Sequence, residues 1–161
     1  MPAPNPPSTE TAFEKQRGIS QVEVRGGYAQ VHVSRLSEPI HDNRLRVLKA
    51  VAEAGVSVDF LKLTPSGLSF VIADANSADL DQALQPLEVR HTIRKDRCVL
   101  LVHAVNMRDE EGLTARIVQE AIASGANVDH ISDMHDRMMI VAEAKFASNL
   151  EALFRGETHA Q

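Results

Sequence analysis

The chain has 161 residues, with 17 Lys and Arg against 22 Asp and Glu for a formal net charge of −5. That acidity, with only 4% aromatic residues and no Trp, argues against a nucleic-acid module, which relies on a basic footprint and stacking rings. Hydrophobic residues make up 43%, an ordinary globular share, so the core must be aliphatic. The lone cysteine, Cys98, excludes a disulfide or a thiolate zinc site within one chain, and in the apolar run 98–102 it reads as a buried strand residue. No apolar run approaches the roughly 18 residues of a membrane span, and the N-terminus lacks a secretory pattern. A cytoplasmic protein with no membrane partner is expected.

Residues 1–17 open with four prolines in seven positions and predict a disordered tail. Residues 19–24, Ile-Ser-Gln-Val-Glu-Val, form a short strand pattern, and residues 28–33 alternate around Val31 and Val33 as a half-buried strand. Pro39 marks a helix start, and Leu45, Leu48, Val51 and Ala52 recur at helical spacing. Gly55 ends that helix. Residues 56–63 predict a strand with Val58, Phe60 and Lys62 on one face, Thr64-Pro65-Ser66-Gly67 a turn, and residues 68–73 the returning strand. Ser77 is placed to cap a short helix carrying Leu80 and Leu84, limited by Pro86. A fourth strand follows over 88–94.

The same order then begins again. Residues 97–105 predict a strand, Leu113, Ile117, Ala121 and Ile122 a helix stripe stopped by Gly125, residues 127–133 and 138–143 a hairpin, and residues 146–154 a second helix. Positions 70 apart match in type: Arg116 with Arg46, Gly125 with Gly55, Val128 with Val58, Asp129 with Asp59, Val141 with Val71 and Leu150 with Leu80. Each repeat therefore reads βαββαβ, the split unit of ferredoxin-like folds. The second lacks its last strand. The spare segment 19–24 is expected to cross over and fill that place, since a bare sheet edge is a pairing hazard. The rival reading is a local hairpin over Gly26-Gly27.

This pattern resembles the paired ACT domains at the regulatory end of aspartate kinases, over residues 18 to about 155. The likeness rests on Gly55-Val56-Ser57-Val58-Asp59 and Gly125-Ala126-Asn127-Val128-Asp129, on Ser66-Gly67-Leu68-Ser69-Phe70, and on Arg108-Asp109-Glu110-Glu111-Gly112-Leu113 before the second-repeat helix. Glu111 stands where the family usually has proline, and Gly67 where it has an acidic residue. The resemblance implies an α+β fold of two ACT units, with antiparallel sheets, helices on one face, and intertwining through the N-terminal strand. The corresponding division is a strand 18–26 donated to the second unit, a first unit 27–95, a second unit 96–156, and a tail 157–161. No phosphate loop of the type G-x-x-x-x-G-K-[ST] occurs, no kinase domain fits, and neither enzyme activity nor a cofactor is expected. The resemblance further implies a small amino acid as effector, lysine or threonine, a homodimer, and a separate kinase or biosynthetic enzyme as partner.

An amino-acid carboxylate needs N–H donors, as helix N-termini supply, and an ammonium needs acceptors. Ser37, Glu38 and Asp42 before the first helix, and Arg108, Asp109 and Gly112 before its counterpart, are candidates for the first task. Asp59, Asn127 and Asp129 are candidates for the second. Two rival readings stay open: Asp42 and Asp109 as helix caps, and Asp59 and Asp129 as partners of local backbone donors. His130 and His135 flank a turn near Asp133 and Asp136; a metal there is the minor reading, and none is expected.

Overall fold

A computed structural model describes residues 18–104, 107 and 111–158. The expected N-terminal tail, residues 159–161 and candidates Arg108 and Asp109 lie outside them; residues 157 and 158, expected in the C-terminal tail, are helical. In chain order the elements are β1 (Ile19–Ser34), α1 (Ile40–Glu53), β2 (Asp59–Thr64), β3 (Gly67–Ala73), α2 (Ser77–Leu84), β4 (Arg90–Ala104), α3 (Leu113–Ala123), β5 (Val128–Asp133), β6 (Arg137–Glu143) and α4 (Ala147–Thr158).

The strands form one antiparallel six-stranded sheet in the order β2-β3-β1-β4-β6-β5, so the two intertwined units share a continuous sheet. Two strands run through both repeats. The first half of β1 pairs with the second half of β4, Val22 opposite Val102 and Val24 opposite Leu100. Its second half pairs with β3, Val31 opposite Phe70, and with the first half of β4, Val31 opposite Ile93. The N-terminal strand therefore crosses into the second repeat, and the rival hairpin is not formed. Gly26-Gly27 is instead a β-bulge: the register shifts between Arg25 and Tyr28, and Gly27 takes φ +79°, where a side chain would be strained. The extra residue switches which alternate positions face the helices, so that Val22 and Val24 are followed by Ala29, Val31 and Val33 on one face. The expected strands 88–94 and 97–105 are likewise one strand, with Asp96 at φ +55° between its halves.

The helices cover one face over two aliphatic clusters. Val47, Val51, Leu80 and Leu84 meet Val31, Val33, Phe70 and Ile72 in the first. Leu113, Ile117, Leu150 and Phe154 meet Val22, Leu100, Val102 and Ile140 in the second. The opposite face carries a third cluster of Val71, Val99, Leu101, Met139 and Val141, with Tyr28 and Phe60 packed against it.

Four local expectations need correction. Helix α1 buries Val47 and Val51, with Leu48 half-buried, while Leu45 and Ala52 face solvent. Arg44 donates to the carbonyl oxygens of Gly67 and Thr64, which turns α1 toward the β2–β3 turn. Ile122 is likewise exposed, although Leu113, Ile117 and Ala121 are buried. Ser77 begins α2 but caps nothing; its hydroxyl donates to Asp74 Oδ1 at 3.1 Å. Strand β2 bulges at Phe60, φ +55°, which turns that ring into the third cluster and leaves Val58 exposed. Cys98 is buried as expected, and burial pushes its thiol pKa up, away from reactive thiolate.

Candidate functional site

The loop before α1 is held by its own side chains. The Asn43 amide donates to the Ser37 carbonyl at 2.8 Å and its hydroxyl at 3.3 Å. Glu38 Oε2 accepts the Ile40 N–H at 3.1 Å, a carboxylate at the positive end of the helix. Asp42 lies exposed in the first turn, and no side chain of the N-cap residue, Pro39, closes the helix end. Asp59 is exposed at the start of β2. Gly112 precedes α3 in the left-handed region, φ +78°. Eleven helical residues, about 16 Å of axis, separate it from the segment that begins β5.

Of the described candidates, Asn127 and Asp129 come together. They line a cleft of about 640 Å3 with Arg94, Arg97 and Glu143, walled by Ile122, Ala126 and Val128. Asp129 sits at a bulge between Val128 and His130 and reaches past the end of β6 to β4. Its Oδ1 accepts Arg94 Nη1 at 2.6 Å and its Oδ2 accepts Arg97 Nε at 2.5 Å. The carboxylate is 4% exposed and the Arg97 side chain 11%, whereas Arg94 is 61% exposed. Asp129 is thus an ion-pair residue; the reading as a partner of local backbone donors is not what the side chain does.

Glu143 stands opposite Arg97 in the β4–β6 register. The Asn127 amide donates to Glu143 Oε1, and Lys145 Nζ lies 2.7 Å from Oε2. The Asn127 hydrogen bond, followed by Lys145, holds the Glu143 carboxyl below the usual carboxylate range. The cleft therefore offers two guanidinium groups, two carboxylates and an aliphatic wall.

Arg94, Arg97 and Glu143 are the residues that sequence reasoning missed. A signal existed in the repeat. Seventy positions before Arg97 and Glu143 stand Gly27 and Ala73, so there the second repeat carries charges where the first has small residues.

A second, smaller cavity of about 330 Å3 lies beside α2. There His91 Nε2 is 2.8 Å from Asp81 Oδ1, and Nδ1 is 3.1 Å from the Val89 carbonyl oxygen. No sequence-derived candidate lines it. Among the described residues, no group of three or more His, Cys, Asp or Glu is placed to hold a metal ion, and no helix is long and apolar enough to cross a membrane. On the third-cluster face, burial and then the Lys62 charge push the His130 pKa down.

One sheet with nested βαββαβ repeats and four helices on one face is the paired ACT arrangement. Solved structures similar to it include regulatory subunits of aspartate kinases and aspartate kinases of greater length. One is the ligand-free regulatory subunit of aspartate kinase from Thermus thermophilus, at TM-score 0.74 and 19% identity over 87% of this chain and 97% of that one. Another is the corresponding subunit from Thermus flavus, at TM-score 0.76 and 18% identity over 87% of this chain and 98% of that one. A third is E. coli aspartokinase III in complex with lysine and aspartate, at TM-score 0.71 and 11% identity; the match covers 91% of this chain and 34% of that one. At these identities the likeness shows the fold. No protein-family model matches the sequence, and no curated protein matches it significantly.

Proposed function

We propose that this chain is a non-catalytic regulatory module of the cytoplasm that binds a small amino acid and controls a partner enzyme such as an aspartate kinase. The observation that carries the reading is the Arg94–Asp129–Glu143 cleft: balanced opposite charges beside an apolar wall suit a zwitterion. The likeness to regulatory subunits over nearly their whole length supports the same reading.

One observation favours a second reading, a ligand-free assembly module. Strand β2 is an edge, and Leu61 and Leu63 on it and Leu45 on α1 are exposed apolar side chains. Pairing of this edge with the same edge of a second copy would cover them and suits a homodimer.

Thermal unfolding scanned against the twenty amino acids separates the two readings. A ligand at 100 times its Kd adds about 2.7 kcal/mol. At about 2–4 °C per kcal/mol for a chain of this size, the melting temperature rises by roughly 5–10 °C. A rise for one or a few amino acids is the expected result. A flat response to all twenty at ~10 mM, with a dimer in sedimentation, overturns the sensor in favour of the assembly module.

A further inference from the structure

The proposed function leaves the class of amino acid open, and the two sides of the cleft narrow it. Asp129 is spoken for: its buried carboxylate is enclosed by Arg94 and Arg97. Arg97 is also committed, with Nε on Asp129 and Nη1 on the Lys95 carbonyl. Arg94 is not. A guanidinium has five N–H donors, and among the described residues Arg94 spends Nη1 on Asp129. With 61% of its side chain exposed, the rest of the fork is open to a ligand carboxylate, which it matches in a two-pronged geometry. Asp129 meanwhile fixes the orientation of the group.

Across the cleft, Glu143 is the one lining carboxylate that Arg residues do not enclose, and it is held at Oε1 by Asn127. A carboxylate accepts about four hydrogen bonds, so it has capacity for an ammonium beyond its contacts with Asn127 and Lys145. The remaining wall is Ile122, Ala126 and Val128, which offer no side-chain acceptor. Ile122 is a large apolar side chain left exposed at the end of α3, and its counterpart in the first repeat is Ala52. A lysine ammonium placed against this wall would lose water without gaining a partner, which is costly. A short aliphatic side chain would cover Ile122 and lose nothing polar.

We propose that this cleft binds a zwitterionic α-amino acid with a short aliphatic side chain, Arg94 taking its carboxylate, Glu143 its ammonium, and Ile122 with Ala126 its side chain. The proposal rests on the regulatory-module reading and specifies its ligand, as valine- or isoleucine-like and not lysine-like.

The test is titration calorimetry of the full chain with valine, isoleucine and lysine, repeated on Arg94→Gln and Ile122→Asp. Both substitutions are at exposed side chains and leave the Arg97–Asp129 pair in place, and melting curves verify folding. Valine or isoleucine is expected to bind at least about tenfold more tightly than lysine. Arg94→Gln is expected to weaken that binding roughly ten- to hundredfold, the usual cost of a lost charged hydrogen bond. Ile122→Asp is expected to shift preference toward lysine by supplying the missing acceptor. Lysine binding as well as valine, or binding unchanged in Arg94→Gln, overturns this assignment and leaves the regulatory reading standing. Wild-type chain that binds no amino acid overturns both.

Discussion

Gly67→Ala is expected to destabilise the chain by about 3 kcal/mol or more, at or beyond the upper end of ordinary overpacking. A Cβ at Gly67 would sit 1.9 Å from the Val33 carbonyl oxygen and 2.8 Å from its carbon. Those atoms belong to the backbone of β1, which cannot give way cheaply. Val33 is paired on both sides, with Leu68 of β3 and His91 of β4, and Leu36 N donates to the Ser66 carbonyl just beyond. Gly26→Ala is the control: its Cβ meets nothing within 4 Å, so it is expected to be near neutral. Urea unfolding of the two variants measures the contrast. Equal midpoints for Gly67→Ala and the unsubstituted chain would remove the close approach of β1 to the β2–β3 turn. This contact also gives a physical reason for glycine where the ACT pattern has an acidic residue.

Asp129→Ala is expected to cost about 3–5 kcal/mol, because it strands the Arg97 guanidinium, only 11% exposed, without its carboxylate. The bond from Arg94 adds little, since that side chain is mostly in water. The pair ties edge strand β5 to β4 across the end of β6, so its loss should free the outer strand first. Amide exchange of β5 is therefore expected to rise before that of β1. Joining Asp129→Ala with Arg97→Met should recover part of the loss, since it removes the orphaned charge as well. If Asp129→Ala alone left both unfolding and exchange unchanged, the ion pair would have no structural role.

Much of the architecture was legible because a duplication repeats its own punctuation. Gly55 and Gly125 both end helices in the left-handed region, φ +69° and +81°. Val31, Val33, Leu113 and Ile117 all lie in the core that their spacing predicts. What could not be read was continuity. Gly26-Gly27 looks like a turn and Lys95-Asp96 falls between two expected strands, yet each is a bulge within a longer strand, because tertiary pairing outweighs local turn propensity. The α1 stripe misled for a related reason: Leu45 has the right period, but the Arg44 bonds to Gly67 and Thr64 set the helix rotation.

The site was half legible. Asn127 and Asp129 stood out as the start of a strand after a helix-ending glycine. Arg94, Arg97 and Glu143 belong to the same cleft only through register, Arg97 opposite Glu143, and period-two patterning does not encode register between distant strands. Ser37 and Glu38 lie before α1 as read, and there their polar atoms serve the loop and the first turn of the helix.

The most direct test of an amino-acid site in the second repeat is amide chemical-shift mapping of the labelled full chain during titration with valine. Shifts are expected to concentrate at Asn127 and Asp129, with Arg94, Arg97 and Glu143 beside them. Shifts confined to residues 37–42 and Gly112, or none up to ~10 mM ligand, would contradict it.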